Sequence, residues 1–310
     1  MANRLIEPLR SGFAACWRAL PMVPGHKPVS TAANYAFLGV GCDPLATVRM
    51  RMGHRIRIDL RSWTERYAYF SGIYQDEDLI RAALRLLPDQ AVALDVGANI
   101  GFFAVPLARA LAERDGKLHA FEPLPSNFAR LQENLGLNDL GQDTVATWAC
   151  GLSSERAELE ITLREDFQHG GETGNAAIVI DDGLDEQFQR IRVPVRTLDD
   201  FAEENSLDRL DFIKIDIEGH EDMFFEGGRT TLARTRPTVL MEVNSAYFRR
   251  RGVVLADRLR ETLPDDYGFA RRSSHGRWER IDDVNECNEI DDAILAPAER
   301  LDATLAALNL

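Results

Sequence analysis

The chain has 310 residues, of which 45% are apolar, and carries a formal net charge of −14. The apolar share is enough for a full-sized core and excludes disorder as the overall state. The acidic balance weighs against a nucleic-acid partner, which would need a basic face.

At the start of the chain, Arg4, Glu7, Arg10 and Arg18 interrupt any apolar run, so no secretion signal is expected. No apolar stretch reaches the roughly 18 residues of a membrane span. Residues 5–20 have an amphipathic period and should pack onto the main domain rather than lie on a membrane. Residues 21–44 carry Pro21, Pro24, Pro28, Pro44 and Gly25, Gly39, Gly41, and read as loop. Residues 45–52 and 55–60 alternate around Gly53-His54 as a hairpin would. A helical period over 76–87 ends at Pro88. Residues 1–88 thus read as an N-terminal cap and 89–310 as the main domain.

From residue 91 strands and helices alternate. Strands are expected at 91–96, 117–122, 144–149, 210–216, 237–243, 267–271 and 291–295. Helices are expected at 102–113, 126–137 with Ser126 as N-cap, 197–204 capped by Thr197, 220–234 and 254–263. Residues 153–195 break the rhythm with short β-like runs at 159–163, 176–180 and 191–195, and a glycine-rich loop at 169–175. The pattern predicts an α/β fold: a doubly wound, seven-stranded, mainly parallel sheet. Ligands of such sheets bind at the carboxyl ends of the strands, where Asp95, Glu122, Asp216 and Glu242 all fall.

Three segments there can carry chemistry. In the first, a strand ending in Asp95 enters the loop Gly97-Ala98-Asn99-Ile100-Gly101. A strand, a glycine turn and a helix form a nucleotide-binding corner, but the GxGxxG spacing of dinucleotide sites is missing. A carboxylate at the mouth would repel a pyrophosphate and would suit the sulfonium and ammonium of S-adenosylmethionine. Glu122, at the end of the next strand, is placed to accept ribose hydroxyls. The second segment, 211–221, ends a buried strand in Asp216 and Glu218. Two carboxylates there need a polar cleft or a ligand, unless Glu218 and Glu221 simply favour the start of the following helix. In the third, 240–245, Glu242 and Asn244 could hold a substrate hydroxyl, a strand-end hydrogen-bond network or a divalent cation, the metal being the less favoured reading. His220 is a candidate base or an exposed first-turn residue. His169 sits on the glycine-rich loop, His119 reads as a packed strand residue, and Arg249-Arg250-Arg251 reads as a solvated helix end. The dispersed Cys16, Cys42, Cys150 and Cys287 contain no CxxC pair and suit reduced thiols in a cytoplasmic protein.

The segments ALDVGANIGFF, HAFEPLPSNFARLQENL, VRTLDDF, LDFIKIDIEGHE and PTVLMEV occur in the order seen in FkbM-type methyltransferases, and the chain resembles that family over roughly residues 70–245. The resemblance implies a class I, Rossmann-like, S-adenosylmethionine-dependent methyltransferase acting on a hydroxyl oxygen, with sugars, glycans or polyketide-type products as acceptors. It places Asp95, Gly97, Ala98, Asn99 and Gly101 on the methionine and ribose side. Glu122 and Pro123 fall at the ribose, and Asp216, Glu218 and Glu221 near the methyl-transfer site. The catalytic candidates are then Asp216, Glu218, His220 and Glu242, with Asp216 also touching the cofactor, although the family varies at the position of His220. The chain departs from the family at Ala149-Cys150-Gly151-Leu152-Ser153, where a small-acid pattern is common, and this leaves the adenine contacts unassigned. Substrate choice is expected to reside in residues 1–65. An NAD-dependent oxidoreductase and a non-catalytic cofactor-binding module remain the alternatives, and the partners expected are a small-molecule or glycan acceptor and, in part, a second copy of the chain.

Overall fold

The computed structural model describes residues 3–19, 26–163, 176–178 and 188–310. The glycine-rich loop with His169 lies outside them.

Helix α1 (Asn3–Ala19) turns Phe13 and Trp17 inward, stacked 5.4 Å apart, and Phe13 meets Phe37 and Phe70 at 6.0 Å each. The amphipathic stripe is therefore covered by protein. Helix α2 (His26–Gly39) replaces most of the loop expected over 21–44. Pro28 is tolerated because it falls in the first turn, where a backbone N–H has no intrahelical acceptor. Strands β1 (Leu45–Arg49) and β2 (Arg55–Asp59) form the expected hairpin, Leu45 opposite Asp59. Helix α3 (Trp63–Ser71) follows, and then α4 (Glu77–Leu86).

The main sheet begins with β3 (Val92–Val96), α5 (Ala104–Ala112), β4 (Lys117–Phe121), α6 (Pro125–Gly136) and β5 (Val145–Trp148). Ser126 is not the N-cap of α6: Pro125 already occupies the first helical position and Leu124 precedes it in extended conformation. Strands β6 (Gly151–Leu152), β7 (Ala157–Leu163), β8 (Ala176–Ile178) and β9 (Gln189–Arg196) leave the main sheet and form their own, in the order β6-β9-β7-β8. Thr197 caps α7 (Leu198–Glu204), its side chain accepting from the Asp200 N–H at 2.9 Å.

After β10 (Phe212–Ile215), the single helix expected over 220–234 is two, α8 (Glu221–Gly227) and α9 (Arg229–Thr235). The break falls at Gly227-Gly228, where the backbone presses on the Ser153 carbonyl; a Cβ on Gly227 would lie 2.0 Å from that oxygen. Strand β11 (Thr238–Asn244), α10 (Ser245–Arg251), α11 (Leu255–Thr262), β12 (Tyr267–Arg272), β13 (Trp278–Ile281), β14 (Ile290–Pro297) and α12 (Ala298–Leu308) complete the chain.

The sheet order is β13-β12-β14-β11-β10-β3-β4-β5, eight strands rather than seven, because β13 adds a hairpin to the edge. Strands β5, β4, β3, β10 and β11 are parallel neighbours, and β14 runs antiparallel between β11 and β12. This is the doubly wound, Rossmann-like fold. The chain builds outward from β3 to β5, then restarts at β10 on the other side of β3. The crevice between β3 and β10 is the switch point where such sheets take ligands.

The N-terminal segment shares the core of one sheet face. Buried Ala14, Ile56, Ile58 and Phe70 belong to the same apolar cluster as Phe102, Leu107 and Leu131. Buried Arg130 on α6 ties it down, donating to Glu65 at 2.7 and 3.1 Å and to the Arg57 carbonyl at 2.9 Å. Asn134 joins the same seam, accepting from the Arg57 N–H at 2.6 Å and donating to the Ile100 carbonyl at 2.7 Å. Residues 74–76, between α3 and α4, reach the carboxyl rim. Among the described residues no helix is long and apolar enough to cross a membrane.

Candidate active site

A cavity of about 440 Å³ opens at the switch point. Its lining includes Gly97, Ala98, Asn99, Glu122, Pro123, Asp216, Glu218, His220, Glu242 and Asn244, all candidates from the sequence, which the structure brings together. Asp95 and Gly101 are not on its wall.

The Asp95 side chain is fully buried behind the wall, which corrects the picture of a carboxylate at the loop mouth. Its nearest charge is the Lys214 ammonium, 3.3 Å away. Lys214 extends from the middle of β10, donates to the Gly97 carbonyl at 3.0 Å, lies 3.6 Å from Asp216, and sits 5.5 Å from the centre of the Phe103 ring. Burial by itself would lower its pKa, but Asp95 and then Asp216 more than compensate and hold it at about 12. The sequence signal for this residue is a cation inside a hydrophobic strand, Phe212-Ile213-Lys214-Ile215.

Gly97 is required where it stands. Its φ is +80°, and a Cβ there would fall 2.0 Å from the Asp216 carbonyl oxygen. The loop after β3 therefore touches the end of β10, and the two form the cavity floor. Gly101 serves packing instead: a Cβ would crowd Leu131 of α6 at 3.0 Å.

Glu122 is 4% exposed, and its two oxygens accept from the Asn99 N–H at 2.8 Å and the Leu124 N–H at 2.9 Å. Burial pushes its carboxyl up to about 7 despite those bonds. Each oxygen keeps a second lone pair for a ligand.

Toward β11 and β14 the wall becomes acidic. Glu242 on β11 stands in register with Asp292 on β14. Burial, then Asp216 and Glu218, raise Glu242 to about 8; burial, then Asp76, raise Asp292 to about 7. The segment before α4 adds Tyr74 and Asp76 to this wall, with the Tyr74 ring stacked on Phe102 at 4.2 Å. Tyr74, Asp76 and Asp292 were not foreseen. None of the described residues among 1–65, where substrate choice is expected, is part of this lining; the N-terminal segment reaches it through residues 74–76. Among the described residues no three His, Cys, Asp or Glu side chains are arranged to hold a metal ion.

The remaining candidates have structural ties. His220 precedes α8 and its Nε2 lies 2.9 Å from the Ser153 hydroxyl; burial, then Arg251, lower its pKa to about 4. Glu221 is buried off the cavity wall and braces the turn, accepting from the Ile217 and Gly219 N–H groups at 3.2 and 3.3 Å. Arg251 is not a solvated helix end: it pairs with buried Asp222 through two contacts of 2.8 Å, whereas Arg249 pairs with Glu289 at the surface. His119 packs as expected, edge-on to Phe201 at 5.4 Å.

The chain was compared with known proteins. The family described as the methyltransferase FkbM domain matches residues 95–271. The AMB antimetabolite synthetase AmbE of Pseudomonas aeruginosa is 33% identical over 219 residues, which cover 62% of this chain and 10% of AmbE. The hexuronic acid methyltransferase AglP of Haloferax volcanii is 26% identical over 172 residues, covering 55% of this chain and 63% of AglP. The chain thus spans less than two thirds of either relative. Among solved structures, a methyltransferase FkbM from Methylobacillus flagellatus KT aligns at 16% identity with a TM-score of 0.43, over 87% of this chain and 58% of that one.

Proposed function

This chain belongs to the FkbM methyltransferase family, and we propose that it moves a methyl group from S-adenosylmethionine to a hydroxyl oxygen of a sugar or natural-product acceptor. The observation that carries the reading is the order of groups along one rim: Glu122, Gly97, Asp216 and Glu242 follow one another at the carboxyl ends of neighbouring strands β4, β3, β10 and β11 and line one cavity. Family membership displaces the oxidoreductase alternative.

The residues suit the cofactor. Gly97, Ala98 and Asn99 leave the floor open, the spare lone pairs of Glu122 match vicinal ribose hydroxyls, and the acidic side chains of Asp216 and Glu218 suit a sulfonium and an ammonium. When bound, the cofactor supplies a methyl group already activated by its positive sulfur. The protein's part is then chiefly alignment of the acceptor oxygen, which can account for much of the rate.

The acceptor must also lose a proton. Glu242 is the better base: its proton affinity near pH 8 lies close to the optimum for a base working at neutral pH, whereas that of His220 lies near 4 and its Nε2 already meets Ser153. Asp216 and Glu218, on the turn beside it, orient the hydroxyl. Asp292 and Asp76 add hydrogen-bonding capacity to the acceptor side.

The test is transfer of labelled methyl from S-adenosylmethionine to a panel of nucleotide sugars, glycans and polyketide alcohols, with calorimetry of S-adenosylhomocysteine beside it. Label in a hydroxyl-bearing acceptor supports the reading. Failure to bind S-adenosylhomocysteine overturns it, and binding without transfer to any acceptor favours the non-catalytic module.

A further inference from the structure

The cavity has a second lobe that the acid-lined rim does not explain. Leu124, Leu152, Leu159, Ile161, Val193 and Val195 line it, contributed by the loop after β4 and by the separate sheet of β6, β7 and β9. Asn127 joins this wall from the first turn of α6. It is only 2% exposed, and its Oδ1 is buried with no hydrogen-bond partner among the described residues. A buried acceptor left unpaired is unfavourable, so such groups are ordinarily satisfied.

The chemistry of the lobe is specific. It is apolar and carries no charged side chain among the residues just named, in contrast to the carboxylates around Glu242. It therefore suits a flat, neutral ring rather than the cationic end of a ligand. It also adjoins Glu122, five residues before Asn127, and the base of a nucleoside hangs from the ribose that Glu122 would hold. A carboxamide presents an acceptor beside a donor, the complement of the 6-amino group and neighbouring ring nitrogen of adenine.

We propose that Asn127 reads the adenine of the cofactor, its Oδ1 accepting from the 6-amino group while the ring lies between Leu124, Leu152 and the β7–β9 wall. The assignment rests on the S-adenosylmethionine reading and adds to it the residue that selects the base. It also answers the departure at residues 149–153: the polar contact to the base comes from α6, not from an acid after β5.

The test is calorimetry with two probes, S-adenosylhomocysteine and the analogue whose purine lacks the 6-amino group. The wild-type protein should prefer the amino-bearing probe by about 10- to 100-fold. In Asn127→Ala the two should bind within about twofold of each other, because the group that distinguishes them is gone. Asn127→Ser, short and polar, should behave the same way and keeps the test open if the alanine variant does not fold. Full retention of the preference in either folded variant overturns the assignment of Asn127 while leaving the cofactor reading intact. If the wild-type protein binds neither probe, the cofactor reading falls, and the assignment with it.

Discussion

Glu242 and Asp292 face each other directly across the antiparallel β11–β14 pair, and both side chains line the cavity. Like charges directly opposite on a sheet face repel. The structure relieves this by holding protons: Glu242 is raised to about 8 and Asp292 to about 7, each first by burial and then by neighbouring carboxylates. The neighbours from other elements are Asp76 before α4, Asp216 and Glu218 after β10, Glu221 on α8, and Arg272 on β12, whose guanidinium opposes the rise of Asp292.

The sign of the consequence follows from linkage. Both groups bind protons more tightly folded than unfolded, so their contribution to stability is present at acid pH and is lost as pH rises through about 7 and about 8. Between pH 6 and pH 9 the wild-type melting temperature should fall by about 2–4 °C more than that of Glu242→Gln, which carries no charge at either pH. Parallel melting curves for the two proteins would show the pair to be ionised throughout.

Lys214 is the sole described neighbour within salt-bridge distance of Asp95. Removing one partner leaves a buried charge without compensation, which costs about 3–5 kcal/mol. Lys214→Met should therefore lower the denaturation midpoint sharply. The double variant Asp95→Asn/Lys214→Met should recover part of the loss, and additive losses in chemical denaturation would argue against the pairing.

Glu122→Ala should weaken S-adenosylhomocysteine by about 10-fold or more, as expected when hydrogen bonds to a charged group are lost. Because Glu122 also holds the Asn99 and Leu124 N–H groups, the loop after β3 should loosen at the same time. Unchanged affinity by calorimetry would remove Glu122 from the ribose site.

Glu242→Gln and His220→Ala separate the two candidate bases. With an acceptor found by methyl-transfer screening, single-turnover rates should drop about 10²-fold or more in Glu242→Gln and by less than about fivefold in His220→Ala. The reverse order would make His220 the base, in spite of its contact with Ser153. Asp216→Asn should also slow turnover strongly while S-adenosylhomocysteine still binds, and retained turnover would exclude it from the reaction centre.

The elements nearest the site were readable because their signals are short-range. The strand, turn and helix around Gly97 are encoded within about a dozen residues, as is Thr197 capping α7. The errors came where a local rule met a tertiary demand. Gly227-Gly228 splits an otherwise helical run because the Ser153 carbonyl lies against it. Arg251 looked like surface charge in an arginine run, yet it reaches inward to Asp222. The prolines and glycines of 21–44 suggested loop, but Pro28 falls at a helix start, where it does no harm.

By itself the sequence determined the βα succession, the glycine turn after β3 and the acids at the strand ends, since strand-end position depends only on period and local turns. The tertiary structure decided which of those acids lines the cavity. It set Asp95 behind the wall against Lys214, more than a hundred residues away in the chain, and put Glu122 and Glu242 on the cavity. It also brought Tyr74, Asp76 and Asp292 to one rim and left the Asn127 Oδ1 without a hydrogen-bond partner among the described residues. The physical reason is burial. Whether a carboxylate is paired, protonated or open to substrate depends on what strands and helices distant in sequence place within a few ångströms of it, and no local pattern carries that distance.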